Sequence, residues 1–598
     1  MRIALLTEGV RPPAQRAEGG WCDRLTEGLA EHEFERYALL SGGPAGPVAP
    51  GVRTLELRGP RPAGRAPGAV RRRAYARAYE QLVGALVLPR ERAGFAPGLH
   101  RLAELGRQDG ALPAFLASGH AHRVLERSWR SPGADTAAGA PLVRDVLVAG
   151  DLLEQCLRPL SADWYGAGAL GGVDLCHVVG GGPAALPALV AKQLHGVPFV
   201  LTEHGLHLRE QYLGYRQAPY RWPVRALLLS FFRLLTAETY RQAALLTPGS
   251  GYDREWQLRC GARPERIRVV YRGTAAVDRP AAGDEPGQPT LAWSGRLEPA
   301  ADPELMLHAF ARVRAQAPGA RLRMYGVEGP PGYLEHCRAV AARLGLSTAL
   351  ARDEAAAERA QMRDEPDGPA RSEEPAAVVF GGPLRTPDAA WASGTVAVFS
   401  ARAQRSPRPL VDAMLSGRAV VATDVGVVRE ALGPAGLLVP PRDPAALALA
   451  CLALLGDEER RGRLGLAGRL RAQERFAVEP VVSAFREVYL ELVSQWPAFP
   501  ATERRAGALP RPFARPAEYW VAGSTETVTG GAPGPARPAA GPGAGPAAGG
   551  ATRPMAETTG ETADAPVAAA AGEPAGGDGP AARATGSRQA AGALAGAD

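Results

Sequence analysis

Residues 290–314 read TLAWSGRLEPAADPELMLHAFARVR. The apolar run 290–294 has the length of a strand, a loop begins at Gly295, and an amphipathic stretch follows over 303–314. A strand that is apolar along its whole length is typical of a parallel sheet, because helices cover both of its faces. These residues therefore predict one strand–loop–helix unit of an α/β fold.

The same alternation of strand-like runs and amphipathic stretches covers most of the chain. The runs before an Ala-, Asp-, Gly- and Pro-rich break at 273–289 are 3–6, 37–40, 173–179, 198–202, 245–247 and 267–271. Those after it are 290–294, 321–325, 377–380, 395–400, 419–423 and 436–439. We therefore predict an α/β protein of two Rossmann-like, doubly wound lobes that face a cleft. Such sheets bind ligands at the carboxyl ends of their strands.

The composition along the chain predicts its domain boundaries. The two lobes are expected at 1–275 and 288–475, followed by a helix at 476–498 that packs back on the first lobe. Residues 521–598 contain no Phe, Trp or Tyr and are rich in Ala, Gly and Pro. So little apolar bulk does not offset the entropy of ordering, and we expect a disordered tail.

Three internal segments also have a marked composition. Residues 352–375 are dense in Asp, Glu and Arg and are interpreted as a surface insertion or a short charged helix, whereas the Pro- and Gly-rich residues 42–69 are expected to be irregular. The apolar stretch 225–246 contains three arginines and Glu238, so it is too interrupted to span a membrane. Its apolar residues nearly encircle the helix axis, which favours burial against the sheet over a position on a membrane surface.

The overall composition argues against several classes of protein. The chain has 598 residues and a formal net charge of +7, and Lys192 is the only lysine among 69 basic residues. The arginines alternate with acidic residues instead of forming a stripe, so a nucleic-acid partner is not expected. Six widely spaced cysteines without a CxxC pair argue against a disulfide scaffold and a structural zinc site. Because no signal-peptide pattern follows Met1, we expect a cytoplasmic protein.

Motifs at the predicted strand ends resemble a known family. In the second lobe, residues 292–299 (AWSGRLEP), 399–417, 419–426 and 436–444 have the order and spacing of the donor lobe of the retaining GT-B glycosyltransferases of family 4. That lobe carries a G-R-L-x-P-x-K segment and an E-x7-E motif. The first lobe resembles the branch typified by the Pel-polysaccharide glycosyltransferase, in its actinobacterial form. This second resemblance is carried by residues 21–25, 174–177, 180–182, 202–205, 247–248, 254–257 and 260–262, and the whole extends from Met1 to about Trp496.

The resemblance implies a donor site in the second lobe. Gly295 and Arg296 correspond to the loop that binds the diphosphate of a nucleotide sugar, but Ala301 stands where the family has a lysine. Gln404 and Asp412 stand at the positions of the two glutamates. In the family the first approaches the donor sugar, in a catalytic position, and the second binds the ribose hydroxyls. The further positions implied are Pro407 and Leu410 in donor binding, and Arg405 in place of a glycine.

In the first lobe the resemblance implies a sugar and acceptor side. His204 lines the sugar site as the second catalytic candidate, and Glu203 and Gly181 lie near the acceptor. Gly19 and Gly20 match a glycine-containing acceptor loop.

Each of these roles has a structural alternative. His204 is otherwise a satisfied buried histidine, and Glu203 a structural acid paired with an arginine. The glycine run 180–182 is otherwise only a turn before a helix. Arg296 is otherwise a surface arginine, and Asp412 a cap for the following helix.

The function implied is transfer of a hexose from a nucleotide diphosphate sugar, UDP- or GDP-linked, to a hydroxyl with retention of configuration. The acceptor class is a glycan, a lipid-linked glycan or a small molecule, and neither a metal ion nor another cofactor is expected. The alternative is a catalytically impaired relative that serves as a partner in a membrane polysaccharide-assembly complex, located at the inner face of the membrane. Ala301, Gln404 and Arg405 support it, because all three depart from the family in the donor site.

Overall fold

Both regions of alternating strands and helices form parallel sheets covered by helices. The computed structural model describes residues 1–9, 17–41, 51–58, 65–135, 137–216, 218–274, 280–351, 376–384, 387–403 and 407–495. The predicted tail at 521–598 and the predicted insertion at 352–375 lie outside these residues.

The first lobe contains a six-stranded parallel sheet in the order β3-β2-β1-β4-β5-β6. This is the strand order of the doubly wound Rossmann fold. Its central strands are buried at every position, as apolar runs covered on both faces must be. The strands are β1 Arg2–Gly9, β2 Glu33–Leu40, β3 Val52–Glu56, β4 Leu175–Val179, β5 Phe199–Glu203 and β6 Leu245–Pro248.

The second lobe contains a seven-stranded parallel sheet in the order β13-β12-β11-β7-β8-β10-β9. Its strands are β7 Thr290–Leu297, β8 Arg321–Glu328, β9 Thr348–Leu350, β10 Val378–Gly381, β11 Val396–Phe399, β12 Ala419–Thr423 and β13 Leu437–Val439. The strand order reverses between β1 and β4 in the first sheet and between β7 and β11 in the second. These switch points are where sheets of this kind bind ligands.

Helices cover both sheets. Those of the first lobe are α1 Ala17–Gly28, α2 Ala69–Val87, α3 Phe95–Asp109, α4 Leu112–Leu116, α5 Gly119–Trp129, α6 Val143–Leu157, α7 Ala185–His195, α8 His207–Tyr215, α9 Trp222–Gln242 and α10 Gly251–Arg259. Those that follow are α11 Pro303–Gln316, α12 Tyr333–Arg343, α13 Pro387–Ala392, α14 Arg408–Leu415, α15 Val428–Leu432, α16 Pro444–Leu455, α17 Glu458–Phe476 and α18 Val478–Gln495.

The last helix, α18, packs on the first lobe. Phe485 and Tyr489 lie in one core cluster with Trp21 of α1. The ring of His177 on β4 is held between two hydroxyls, 2.6 Å from Tyr489 Oη and 2.7 Å from Thr202 Oγ1. Because α18 follows the second lobe in sequence, these contacts join the ends of the two lobes.

A second connection lies between the carboxyl edges of the sheets. The carboxylate of Glu430, on α15, accepts hydrogen bonds from the backbone N–H groups of Gly251 and Tyr252 at the start of α10. It also accepts one from the hydroxyl of Tyr271. An acid at a helix N-terminus is favourable because it meets unpaired N–H groups and the positive end of the helix dipole. This contact brings the carboxyl edges of the two sheets face to face.

The predicted fold class, an α/β protein of two Rossmann-like lobes facing a cleft, is confirmed. Two details were wrong. The zone 42–69, expected to be irregular, contains β3, whose half-exposed edge position does not require an apolar run. Conversely, 267–271 is not a regular strand: it forms one isolated bridge to β6 at Ile267, and Arg268 and Val270 donate backbone hydrogen bonds to Leu246 and Pro248, before the chain crosses to the second lobe.

The stretch 225–246 corresponds to α9 and the start of β6. Its residues Phe231, Phe232 and Leu235 lie in the core of the first lobe, as the burial interpretation requires. Among the described helices, none has the length and apolar character needed to cross a membrane. The six cysteines all lie within the described residues and form no disulfide.

Candidate functional site

A cavity of about 150 Å³ opens at the switch point of the second sheet. One wall is the end of β7, with Gly295 and Arg296, and the loop after it, with Ala301. The loop expected to begin at Gly295 begins after Leu297, because β7 continues to pair with β8 up to that residue. The opposite wall is the loop after β11, with Ala403, and the start of α14, with Pro409. One cavity therefore contains Gly295 and Arg296, which the resemblance implied for diphosphate binding, and Ala301, which replaces the lysine of the family.

Hydrogen bonds hold the two walls together. Ser400 Oγ accepts a bond of 3.0 Å from the indole N–H of Trp293 and donates one of 2.9 Å to the carbonyl of Ala301. The carboxylate of Asp302 binds the guanidinium of Arg402 through two bonds of 2.6 and 2.9 Å. Asp302 also caps α11 by accepting a bond from the N–H of Leu305. These contacts set the position of Ala301 and join the loop after β7 to the loop after β11.

Arg296 projects from the end of β7 into solvent. Its side chain is 60% exposed and lies 3.1 Å from the carboxylate of Glu298. The guanidinium is therefore accessible to an anion that enters the cavity, but it is already partly neutralised by its neighbour.

Helix α14 carries the other implied donor residues. Asp412 is the fifth residue of the helix and only 6% exposed, so the alternative that it caps a helix is wrong. Leu410 is buried in the core of the lobe, where it fixes α14 and does not line the cavity. Pro407 immediately precedes the helix. Gln404 and Arg405 lie outside the described residues.

His204 lies just beyond β5 in the first lobe. Its ring packs edge-on against Trp21, with 4.8 Å between the ring centroids. Both ring nitrogens are buried, and within the described residues neither has a hydrogen-bond partner. Burial lowers the pKa of His204 well below its ordinary value, and the charges of Arg272 and Arg24 lower it further. A neutral imidazole with two unused polar atoms is suited to binding the hydroxyls of a sugar.

Arg24 and Arg272 lie near His204, and Arg408 of the second lobe lies near Arg24. Arg24 of α1 lies close enough to His204 to lower its pKa. Burial, followed by repulsion from Arg408 at the start of α14, lowers the pKa of Arg24 itself. Among the described residues, Nε of Arg24 has no hydrogen-bond partner. Like charges brought together in this way favour the binding of an anion, because it relieves their repulsion.

Sequence reasoning missed this cluster. Arg24 stood inside the quoted motif at 21–25 but received no role, and Arg272 and Arg408 were not singled out. In a chain with 69 basic residues, no local signal marks the few arginines that the fold brings together.

Glu203 lies at the carboxyl end of β5 and is fully enclosed. It accepts hydrogen bonds from Tyr240 Oη at 2.6 Å and from the side-chain amide of Gln257 at 2.8 Å. A Cβ added at Gly181, whose φ is +73°, would lie 2.8 Å from the carboxylate, so only glycine fits there. Glu203 is paired with neutral groups, not with the arginine that the structural alternative supposed.

Burial raises the pKa of Glu203 from its ordinary value of 4.5 to about 7. Between pH 4.5 and about 7, Glu203 therefore stays protonated in the folded state but is ionised in the unfolded state. The free energy of unfolding is highest below pH 4.5 and falls as the pH rises to about 7. Glu203→Gln cannot ionise, so its free energy of unfolding relative to wild type should rise by about 3 kcal/mol from pH 4.5 to 8. Urea unfolding at several pH values measures this. The control is Glu335→Gln, at a side chain that is 70% exposed, and an equal change in both variants would contradict the prediction.

The remaining acceptor-side residues are placed differently from expectation. Gly19 and Gly20 lie in the first turn of α1, not in a loop, because the helix begins at Ala17. At Gly20 an added Cβ would meet the guanidinium of Arg24 at 3.6 Å. The first turn of α1 therefore lies beside the arginine cluster.

The two Rossmann-like lobes, with their switch points at a shared cleft, define the GT-B class of fold. Residues 288–457 match the family model described as glycosyl transferases group 1. Residues 1–265 match a model described only as a domain of unknown function, DUF3492.

Curated relatives match parts of the chain. The D-inositol 3-phosphate glycosyltransferase of Nocardia farcinica is 33% identical over 237 residues, which are 39% of this chain and 46% of that protein. The enzyme of the same name from Nocardioides is 31% identical over 241 residues, 38% of this chain and 49% of that protein. The chain thus spans about half the length of these relatives.

Among solved structures, Anabaena HepE in complex with UDP and glucose aligns with 82% of this chain and 100% of its own, at 13% identity and a TM-score of 0.47. So distant a likeness adds nothing to the fold, which the chain's own two sheets define.

Proposed function

We propose that this protein is a glycosyltransferase that moves a hexose from a nucleotide diphosphate sugar to a hydroxyl of a glycan, a lipid-linked glycan or a small molecule. The observation that carries the proposal is the placement of chemistry at both switch points. In the second lobe, the cavity that contains Arg296 is lined by the start of α14, the helix that carries buried Asp412. In the first lobe, Arg24 lies near His204 and also near Arg408 at the start of α14. The match of 288–457 to glycosyl transferases group 1 supports it.

In this proposal the donor lies across the cleft. Arg296 contacts the diphosphate from the second lobe, and Arg24 with Arg408 supplies the positive charge that Ala301 does not. Asp412 accepts hydrogen bonds from the ribose hydroxyls, and neutral His204 binds the hydroxyls of the hexose. Gln404 keeps the role that the motif alignment implies, beside the donor sugar.

The proposed reaction retains the anomeric configuration. The bond between the anomeric carbon and the phosphate oxygen breaks, and a bond from that carbon to the acceptor oxygen forms on the same face. The acceptor proton passes to the leaving phosphate, so no enzyme nucleophile is required. Arginines stabilise the charge that develops on the leaving group, and we propose that no metal ion is needed for this.

Calorimetric titration of the full chain with UDP, GDP and their glucose or mannose derivatives tests donor binding. We expect a micromolar dissociation constant, about −8 kcal/mol, for one base, unchanged by EDTA. No heat with any of these ligands, from protein shown to be folded, would contradict transferase function and favour the impaired relative. Where transfer is detected, the proton coupling at the anomeric carbon of the product distinguishes retention from inversion.

Arg296→Ala should weaken donor binding by about five- to tenfold. The effect is modest because the guanidinium is largely exposed and already paired with Glu298. Titration with the preferred donor measures it. Arg312→Ala, which removes an exposed arginine from α11, serves as the matched control and should bind the donor like wild type. Equal affinities for the two variants would exclude Arg296 from the donor site.

A further inference from the structure

Large apolar side chains are exposed together on the first lobe. At the start of α6, Leu142 and Val143 are exposed, and Leu147 follows one helical turn later on the same face. Tyr212 and Leu213 are exposed at the end of α8, and Trp222 at the start of α9 is 62% exposed. We call these six residues the docking face.

The three helices that carry the docking face are in contact. Asp145 of α6 forms an ion pair with Arg221, next to Trp222. Tyr212, Gly139 and Pro223 line one cavity of about 270 Å³, which joins the end of α8 to the start of α9 and to the chain before α6. The residues of the docking face therefore lie on neighbouring helices, and exposed apolar side chains grouped on one part of a surface mark interaction sites.

Arginines surround this surface. Arg144 and Arg216 are exposed beside Val143 and Leu213, respectively. Arg225 lies over the ring of Trp222, with its guanidinium carbon 5.1 Å from the centroid, and its N–H groups bind the carbonyls of Arg216 and Tyr220. Among the nearby acids, Asp145 is buried in its pair with Arg221, and Asp135 is exposed in the cavity that Tyr212 lines. Exposed Glu210 is the main remaining negative charge on α8.

We propose that the docking face binds the surface of a lipid bilayer that contains anionic phospholipid. Leucine, valine and tryptophan side chains enter the boundary between head groups and acyl chains, where the indole is favourable. The arginines remain at the level of the phosphates, each contributing through its attraction to the negative surface. The combination of exposed apolar side chains with surrounding arginines matches an anionic bilayer, which offers both an apolar interior and negative phosphates.

The position of the docking face suits the proposed function. Membrane binding itself does not depend on that function, but the following argument about the acceptor does. Helix α8 begins at His207, just beyond His204, and ends at the docking face. Its nine residues span about 13 Å. An acceptor glycan anchored in the bilayer would thus reach the cleft from the side on which His204 lies.

Sedimentation of the full chain with vesicles tests the proposal. Vesicles of phosphatidylcholine with three parts in ten phosphatidylglycerol are compared with pure phosphatidylcholine. We expect binding to the anionic vesicles, weakened by salt, and a loss of about tenfold or more in the variant Trp222→Ser with Leu213→Ser and Arg216→Ser. Donor titration of the same variant should be unchanged, which separates this proposal from the proposed function.

The control variant is Leu466→Ser with Leu470→Ser, which removes two exposed leucines from α17 in the second lobe. It should bind vesicles like wild type. Failure of the wild type to bind anionic vesicles at low salt would overturn the proposal and leave a protein as the occupant. Equal binding by wild type and the docking-face variant, with circular dichroism showing both folded, would overturn it as well.

Discussion

Arg24→Ala is expected to weaken the binding of the nucleotide sugar by about 10- to 100-fold. Arg24 is half-buried, and burial together with the repulsion from Arg408 lowers its pKa. A bound diphosphate would remove this repulsion and gain a charged hydrogen bond to Nε, which has no partner among the described residues. Because Ala301 provides no charge, Arg24→Ala should reduce the affinity for the donor more than Arg296→Ala does.

Calorimetric titration of the variant with the preferred donor measures this effect. Arg24→Lys, which keeps the charge but not the planar donor group, should recover part of the affinity. The matched control is Arg486→Ala, which removes an arginine that pairs with Glu31 and contacts the far end of α1 at Gly28. If Arg24→Ala binds the donor as tightly as Arg486→Ala does, the arginine cluster is not the diphosphate site.

Asp302→Ala should destabilise the protein by about 3–4 kcal/mol. The variant loses the cap of α11 and two charged hydrogen bonds to Arg402. It also places alanine in the left-handed backbone conformation of residue 302, whose φ is 49° and which aspartate tolerates better. The walls of the donor cavity are joined by this residue, so donor affinity should fall with stability. Urea unfolding and donor titration of the same preparation measure the two effects.

Two comparisons isolate the cause. Asp302→Asn keeps the cap and the backbone tolerance, and should cost only about 1 kcal/mol. Asp443→Ala removes the cap of α16, where the backbone is extended at φ −115°, and should also cost about 1 kcal/mol. A similar loss of stability in Asp302→Ala and Asp443→Ala would show that the link to Arg402 contributes nothing.

Most of the fold could be predicted because its signal is local. Eleven of the twelve predicted runs overlap strands of the two sheets, since a strand covered on both faces must be apolar throughout. The strands missed, β3 and β9, lie at the edges of their sheets, where this requirement is relaxed. The run 267–271 has the same apolar pattern as a strand but leaves β6 to cross between the lobes.

The candidate site could be predicted only in part. Gly295, Arg296 and Ala301 are close in sequence, so the end of β7 and the loop that follows it carry all three to the cavity. The motif alignment implied a donor-binding role for Leu410, but its apolar side chain is buried in the core, where burial stabilises the fold. Gly19 and Gly20 suggested a loop, although α1 already includes them.

The sequence by itself determined the two parallel sheets and the loops at their carboxyl ends, because periodicity and glycine position act over a few residues. Only the tertiary structure decided that Arg24 and Arg272 lie near His204 and Arg408 near Arg24, and that Glu203 stays among neutral partners. It also gathered the exposed residues of α6, α8 and α9 into one face. Charge repulsion, burial and exposure depend on distances between residues far apart in the chain, and no local pattern encodes those distances.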